Sequence, residues 1–303
     1  MTSLPARVSI YEVSPRDGLQ NEAAIVPVGQ KGLLIQALVG AGLRRIEVTS
    51  YVSPRWIPQL ADADELTKDI ARPGGVRFSA LCPNSHGLER AVNAGMQEIA
   101  IFLSASETHN QKNTNRSIER SLWVFEELVP LAITSDLKVR AYISTVWGCP
   151  YEGAVDEGRV LEIAQALIRF GCYQVSLGDT IGVGTPNQTA RIVELFLRHL
   201  QPDQVALHMH DTRGTALANA LVGLQHGITH FDASVAGLGG CPYAPGAAGN
   251  LATEDLVYML EGMGIETGIN LPALVEAGRV AERIVGRPLP GKVHQAGVPT
   301  LRR

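Results

Sequence analysis

Short apolar runs alternate along this chain with longer stretches whose apolar positions recur every three or four residues, the signature of strands each followed by an amphipathic helix. The first run, Val8–Val13, leads into a polar loop (SPRDGLQNE) and a helix predicted at about Gly29–Ala41, with Gly42 placed to cap its C-terminus. The second, Arg45–Thr49, precedes a proline-interrupted loop and a helix around Asp62–Ile70. Val76–Leu81 is the third strand, and Ser85 is read as the cap of a helix ending at Gly95. Glu98–Leu103 is followed by a long polar loop (SASETHNQKNTNR) and a helix from Ser117 to about Ile133. Lys138–Thr145 is the fifth strand, with Asp156 capping a helix that ends at Gly171. Tyr173–Gly178 is the sixth, and its helix starts near Pro186, a residue suited to the first helical turn. The seventh strand lies in QVALHMHD, its helix ends at Gly227, and Thr229–Val235 is the eighth. Two more helices, about Ala252–Met263 and Leu271–Val285, trail the last unit.

Eight β-then-α units without a break in composition predict a parallel sheet covered by helices, and eight close most naturally into a (β/α)8 TIM barrel with extra C-terminal helices. An open doubly wound sheet is the alternative, but no GxGxxG follows the first strand. Residues 1–303 then read as one catalytic domain, with roughly the last 50 packed on the barrel as helices. Apolar residues make up 45% of the chain and charged ones 18%, ample for a large core. A net charge of −4 and a pI near 6.1 leave no basic footprint, which weighs against nucleic acid as a partner. No apolar run is long enough to span a bilayer, and the start (MTSLPARVSI) shows neither an apolar signal core nor an arginine-rich arm, so a cytoplasmic protein off the membrane is expected. The four cysteines include no CxxC pair, which argues against a disulfide framework or a zinc knuckle.

Side chains two apart on a strand share a face, so His208 and His210 point the same way while Met209 points away. Such a pair is either half of a metal site or two hydrogen-bonded core imidazoles. Function in a barrel sits at the C-terminal ends of the strands, and reactive residue types collect there. Strand one leads to Arg16 and Asp17, strand two carries Glu47, strand six runs into Asp179, and strand eight opens into a glycine-rich loop with Cys241 and then Asn250. Each has a plain structural reading: a surface ion pair for Arg16 and Asp17, a helix cap for Asp179, a turn for Asn250. Glu47 is harder to dismiss, because a carboxylate inside an apolar strand needs a partner or a shifted pKa. Together, two imidazoles, a carboxylate and an amide oxygen suit a divalent cation of Mg²⁺ or Mn²⁺ hardness, with Zn²⁺ also compatible. An arginine to hold an enolate and a cysteine to carry a proton complete a set fitted to carbon–carbon bond cleavage or formation beside a thioester or keto acid.

The segments VSPRDGLQNE, IEVTSYVSP, GCPYEG, SLGDTIGVGTP, HMHDT and SVAGLGGCPYAPGAAGNLATEDLVYMLEG closely resemble the 3-hydroxy-3-methylglutaryl-CoA lyase family of metal-dependent TIM-barrel lyases, from about Val8 to Gly262. The resemblance implies that Asp17, His208, His210 and Asn250 bind the cation, that Arg16 holds the enolate of the departing acetyl-CoA, and that Cys241 moves a proton. It implies that Glu47 and Asp179 complete an acidic network, with Asp179 handling the C3 hydroxyl proton, and that Ser50, Asn113 and Ser176 touch an acyl-CoA substrate. The implied reaction converts 3-hydroxy-3-methylglutaryl-CoA into acetyl-CoA and acetoacetate. Arg213 after HMHDT and Trp147 before GCPYEG depart from the family pattern, which keeps open a longer substituent at C3. A related aldolase or synthase is the other alternative, although the chain ends too soon after the last motif for a regulatory domain. A homodimer or higher homo-oligomer is expected.

Overall fold

The computed structural model describes residues 4–240 and 249–299. Strands β1 (Ser9–Glu12), β2 (Arg45–Ser50), β3 (Arg77–Leu81), β4 (Glu98–Ser104), β5 (Lys138–Ser144), β6 (Gln174–Asp179), β7 (Val205–Met209) and β8 (His230–Ala233) pair in chain order, and β1 closes on β8. Every pairing is parallel, so the closed barrel predicted from the alternating pattern is the architecture found. The helices between strands are α1 (Val28–Gly40), α2 (Ala63–Asp69), α3 (Ser85–Asn93), α4 (Glu107–Thr114), α5 (Ile118–Thr134), α6 (Glu157–Phe170), α7 (Pro186–Leu197) and α8 (Ala216–Gln225). Beyond β8 lie α9 (Thr253–Gly262), α10 (Leu271–Val285) and α11 (Lys292–Ala296). Among the described residues no helix is long and apolar enough to cross a membrane.

Strand alternation sorts the two faces of the barrel wall. Val205, Leu207 and Met209 of β7, with Val175 and Leu177 of β6, point outward into one apolar cluster beneath the helices. The inward face is polar, carrying Glu47, Glu98, Arg140, Ser176, His208 and Asp232, where barrels of this kind usually stack branched aliphatics. Burying those groups is tolerable only because they pair. Arg140 reaches across the lumen to Asp232 at 2.5 Å, and the Tyr11 hydroxyl contacts Ser79 Oγ at 2.5 Å and donates to Glu98 Oε1 at 3.0 Å.

Several local expectations hold and others need correction. Asp156 accepts from Arg159 N at 2.8 Å and so caps α6, while Gly171 ends it in the left-handed conformation at φ 114°. Asn84, not Ser85, caps α3, because its side-chain oxygen is the one that meets Gly87 N, at 3.0 Å. The polar stretch after β4 contains α4, capped by Ser106; with no apolar stripe, nothing in its pattern marks a helix. The loop after β1 starts as one wide helical turn, Ser14–Gly18, in which the amides of Asp17 and Gly18 both donate to Val13 O. α11 has no counterpart among the elements expected from the apolar pattern; its first amides, Lys292 N and Val293 N, are held by the Asp255 carboxylate at 3.0 and 2.6 Å.

Candidate active site

A cavity of about 630 Å³ opens at the C-terminal ends of the strands, with Arg16, Asp17, Asn113, Tyr142, His208 and His210 among its walls. The wide turn after β1 delivers Arg16 and Asp17, the end of β7 delivers His208, and His210 follows with its backbone bridged to Asn250. These parts, distant in sequence, converge because β1, β7 and β8 are neighbours in the closed barrel.

Side-chain atoms of Asp17, His208 and His210 lie within 4.8 Å of one another. The two Nε2 atoms are 3.3 Å apart, and His208 Nε2 is 4.0 Å from Asp17 Oδ2. Two nitrogens bound to one ion at about 2.0–2.1 Å, at angles from square to tetrahedral, would stand about 2.8–3.4 Å apart, so the imidazoles are spaced as ligands of a shared cation. Asn250 donates its amide nitrogen to Asp17 Oδ2 at 2.8 Å, while its Oδ1 is buried without a partner among the described residues. A buried acceptor with no donor is costly, and a cation beside Asp17 would satisfy it. The electrostatics agree. Burial, aided by His208, pushes the His210 imidazole down to about 4, leaving its lone pair free at neutral pH. Burial works against ionising Asp17, but Arg16 and the two imidazoles outweigh it and hold the carboxyl below the usual range. The Asp17–His208–His210 cluster thus fits a divalent metal.

Arg16 is fixed from two sides. Its Nε donates to Glu47 Oε2 at 2.5 Å and its Nη1 to Asp17 Oδ1 at 2.6 Å. The guanidinium sits 5.3 Å from the centroid of the Tyr142 ring, and the Tyr142 hydroxyl donates to Glu47 Oε2 at 3.2 Å. Glu47 therefore aims the arginine from beneath, with no exposure of its own to the cavity.

The remaining expected residues divide. Asn113 lines the cavity. Cys241 lies outside the described residues. Asp179 accepts Val183 N and Gly184 N with its two oxygens, both at 2.9 Å, and so shapes the loop after β6. Ser176 donates its hydroxyl to Asp232 at 2.7 Å inside the barrel. Ser50 is buried and accepts from Val52 N at 3.1 Å. None of the three is among the described residues that line the cavity. Arg213 donates to Ile181 O and Gly182 O, and Trp147 donates to Thr189, so both departures from the family pattern also lie off the cavity wall. Arg140 and Asp232 were missed, although the argument that singled out Glu47, an ionisable side chain inside an apolar strand, applies equally to KVRAYIS and HFDA.

A (β/α)8 barrel with a carboxylate–imidazole cluster that fits a divalent metal and a buried arginine at its C-terminal mouth defines the architecture of a TIM-barrel enzyme. Comparison with known proteins narrows the class. A family model described as HMGL-like matches residues 7–281. The chain is 51% identical over 296 residues to the mitochondrial hydroxymethylglutaryl-CoA lyase of Rattus norvegicus, covering 98% of this chain and 91% of that protein. It is 50% identical over 296 residues to the cytoplasmic 3-hydroxy-3-methylglutaryl-CoA lyase of Mus musculus, covering 98% and 86%. The crystal structure of the Bacillus subtilis HMG-CoA lyase superposes with a TM-score of 0.96 at 49% identity, covering 97% of this chain and 99% of that one. The chain belongs to the HMG-CoA lyase family of carbon–carbon lyases.

Proposed function

We propose that this protein cleaves 3-hydroxy-3-methylglutaryl-CoA to acetyl-CoA and acetoacetate. The observation that carries the reading is the placement of Arg16 beside the Asp17–His208–His210 cluster on the wall of one cavity. Asp17, His208, His210 and Asn250 would hold a divalent cation, Mg²⁺ or Mn²⁺ before Zn²⁺, which supplies Lewis-acid polarisation of the substrate oxygens. The C3 hydroxyl proton passes to a base, the role the family resemblance implies for Asp179; as the ketone forms the C2–C3 bond breaks, and its electron pair passes to the thioester as an enolate. The fixed guanidinium of Arg16 donates to that enolate oxygen, with Glu47 and Tyr142 holding its direction. Cys241 delivers the proton to C2 that completes acetyl-CoA, and Asn113 on the cavity wall contacts the acyl-CoA. The positions of Arg213 and Trp147 off the wall support a methyl group at C3 over a longer branch.

The whole of 1–303 is proposed as one catalytic domain. A cytoplasmic location is supported by the mouse relative of that name. Assembly into a homo-oligomer is supported by an apolar groove of about 520 Å³ between α1 and α2, beside the exposed Leu33. Incubation with 3-hydroxy-3-methylglutaryl-CoA and Mg²⁺ tests the function: stoichiometric acetoacetate and acetyl-CoA are expected, and their absence with every divalent ion tried would refute it. Offering the C3-isoprenoid homologue in parallel decides the substituent.

A further inference from the structure

Beneath the cluster, Asp232 is held by three side chains. Its Oδ1 accepts Arg140 Nη2 at 2.5 Å, while its Oδ2 faces Arg140 Nη1 at 3.1 Å, Ser176 Oγ at 2.7 Å and His208 Nδ1 at 3.1 Å. The carboxylate and the guanidinium are both fully enclosed. Arg140 is itself locked, with Nε donating to Gln174 Oε1 at 2.9 Å and its plane lying over the Tyr11 ring at 4.3 Å. Arg140 meets both carboxylate oxygens inside the barrel, and an enclosed guanidinium without a counter-charge would be costly, so Asp232 stands there as the carboxylate. An ionised carboxylate can only accept hydrogen bonds, so the imidazole nitrogen facing it must carry the proton. His210 has no such support: its Nδ1 is buried without a partner among the described residues.

We infer that Asp232, clamped by Arg140, is a positioning residue that fixes His208 in the Nδ1–H tautomer and so turns the lone pair of Nε2 toward Asp17 and His210. The two imidazoles then differ in kind. His208 is preset through its side chain, whereas His210 is placed through the bridge between its backbone and Asn250. This rests on the reading of His208 as a metal ligand. A carboxylate behind a ligating imidazole sets its orientation and basicity, and losing one typically weakens metal binding about 10–100-fold. In Asp232→Asn the amide can donate to Nδ1, which would move the imidazole proton onto Nε2, where the cation would bind.

Two measurements decide the matter. In ¹⁵N-histidine-labelled, metal-free wild type, the His208 ring signals (assigned by their loss in His208→Asn) should show the Nδ1–H tautomer, and the Nε2–H form would overturn the inference. Mn²⁺ titration followed by electron paramagnetic resonance should show binding about 10–100-fold weaker in Asp232→Asn than in wild type. A folded variant, checked by circular dichroism, that binds Mn²⁺ as tightly as wild type would equally overturn it. Should the variant fail to fold, the wild-type tautomer alone settles the question. Failure of the underlying reading looks different: wild type would bind no Mn²⁺, or bind it as well as His208→Asn does.

Discussion

Arg16 and Glu47 meet as a buried ion pair, Nε to Oε2 at 2.5 Å, bridging the turn after β1 and the middle of β2. The pair sets the direction of the guanidinium that stands beside the Asp17–His208–His210 cluster, so each partner matters for a different reason. Arg16→Gln should lower turnover by about 10²–10³, the loss expected when an oxyanion donor goes. It also leaves the buried Glu47 without its counter-charge, with the Tyr142 hydroxyl still donating to it, at a cost of up to about 3–5 kcal/mol. Arg16→Gln combined with Glu47→Gln should recover much of the stability and none of the turnover. Acetoacetate release and urea midpoints on the three proteins check this, and near-normal turnover in Arg16→Gln would exclude the enolate role.

Gly239 sits against Asn250 at the root of the glycine-rich loop. Its φ is +129°, and a Cβ there would lie 2.7 Å from Asn250 Nδ2. Gly239→Ala should therefore displace the Asn250 amide and strain the backbone together. The expected result is Mn²⁺ binding weaker by about tenfold or more, with only a modest loss of thermal stability. Unchanged Mn²⁺ affinity in a folded Gly239→Ala protein would remove Asn250 from the ligand set.

The barrel was legible from the chain because outward strand residues and helix stripes follow the periods of their elements, as in Val205, Leu207 and Met209. The reactive residues were legible where strands end. What they do was less so. Asp179 and Ser176 carry side chains suited to catalysis, yet whether such a group meets the cavity or a neighbouring amide depends on the path of the loop and the tilt of the strand. Sequence patterns carry neither. Helix α4 escaped for a related reason: its polar residues are held by capping and by Asn110, which donates to Arg116 O at 2.9 Å and accepts from Ser104 N at 2.9 Å, with little apolar burial to reveal it.

The proton-transfer role proposed for Cys241 is the one that the family resemblance implies for the thiol between Gly240 and Pro242. Cys82, Cys149 and Cys172 are buried elsewhere, and burial pushes the Cys172 thiol up to about 12, which suits a packing role. Cys241→Ala should reduce turnover sharply and leave Mn²⁺ affinity as it was, while Cys172→Ala should lower stability with little effect on turnover. A parallel loss of Mn²⁺ binding in Cys241→Ala would make the thiol a ligand instead.

Glu254 links the pH of the medium to the root of the same loop. Its Oε2 accepts the amide of Ala236 at 2.7 Å, and Ala236 is held in the left-handed region at φ 53°. Burial pushes the Glu254 carboxyl up to about 8, with Glu12 and Asp255 adding to the effect. An unfolded glutamate ionises near about 4.3. Between the two values the folded chain keeps a proton that the unfolded chain has lost, so stability must fall as pH rises from about 4.5 to about 8 and then level off. The cost accumulates at about 1.4 kcal/mol for each tenfold difference in proton affinity. Glu254→Gln offers Ala236 the same acceptor without an ionisable proton, so it should lack this slope. Urea midpoints of the two proteins from pH 5 to pH 9 should diverge in favour of Glu254→Gln toward the alkaline end. Parallel curves would mean that Glu254 titrates as it does in the unfolded chain, and that burial does not hold its proton.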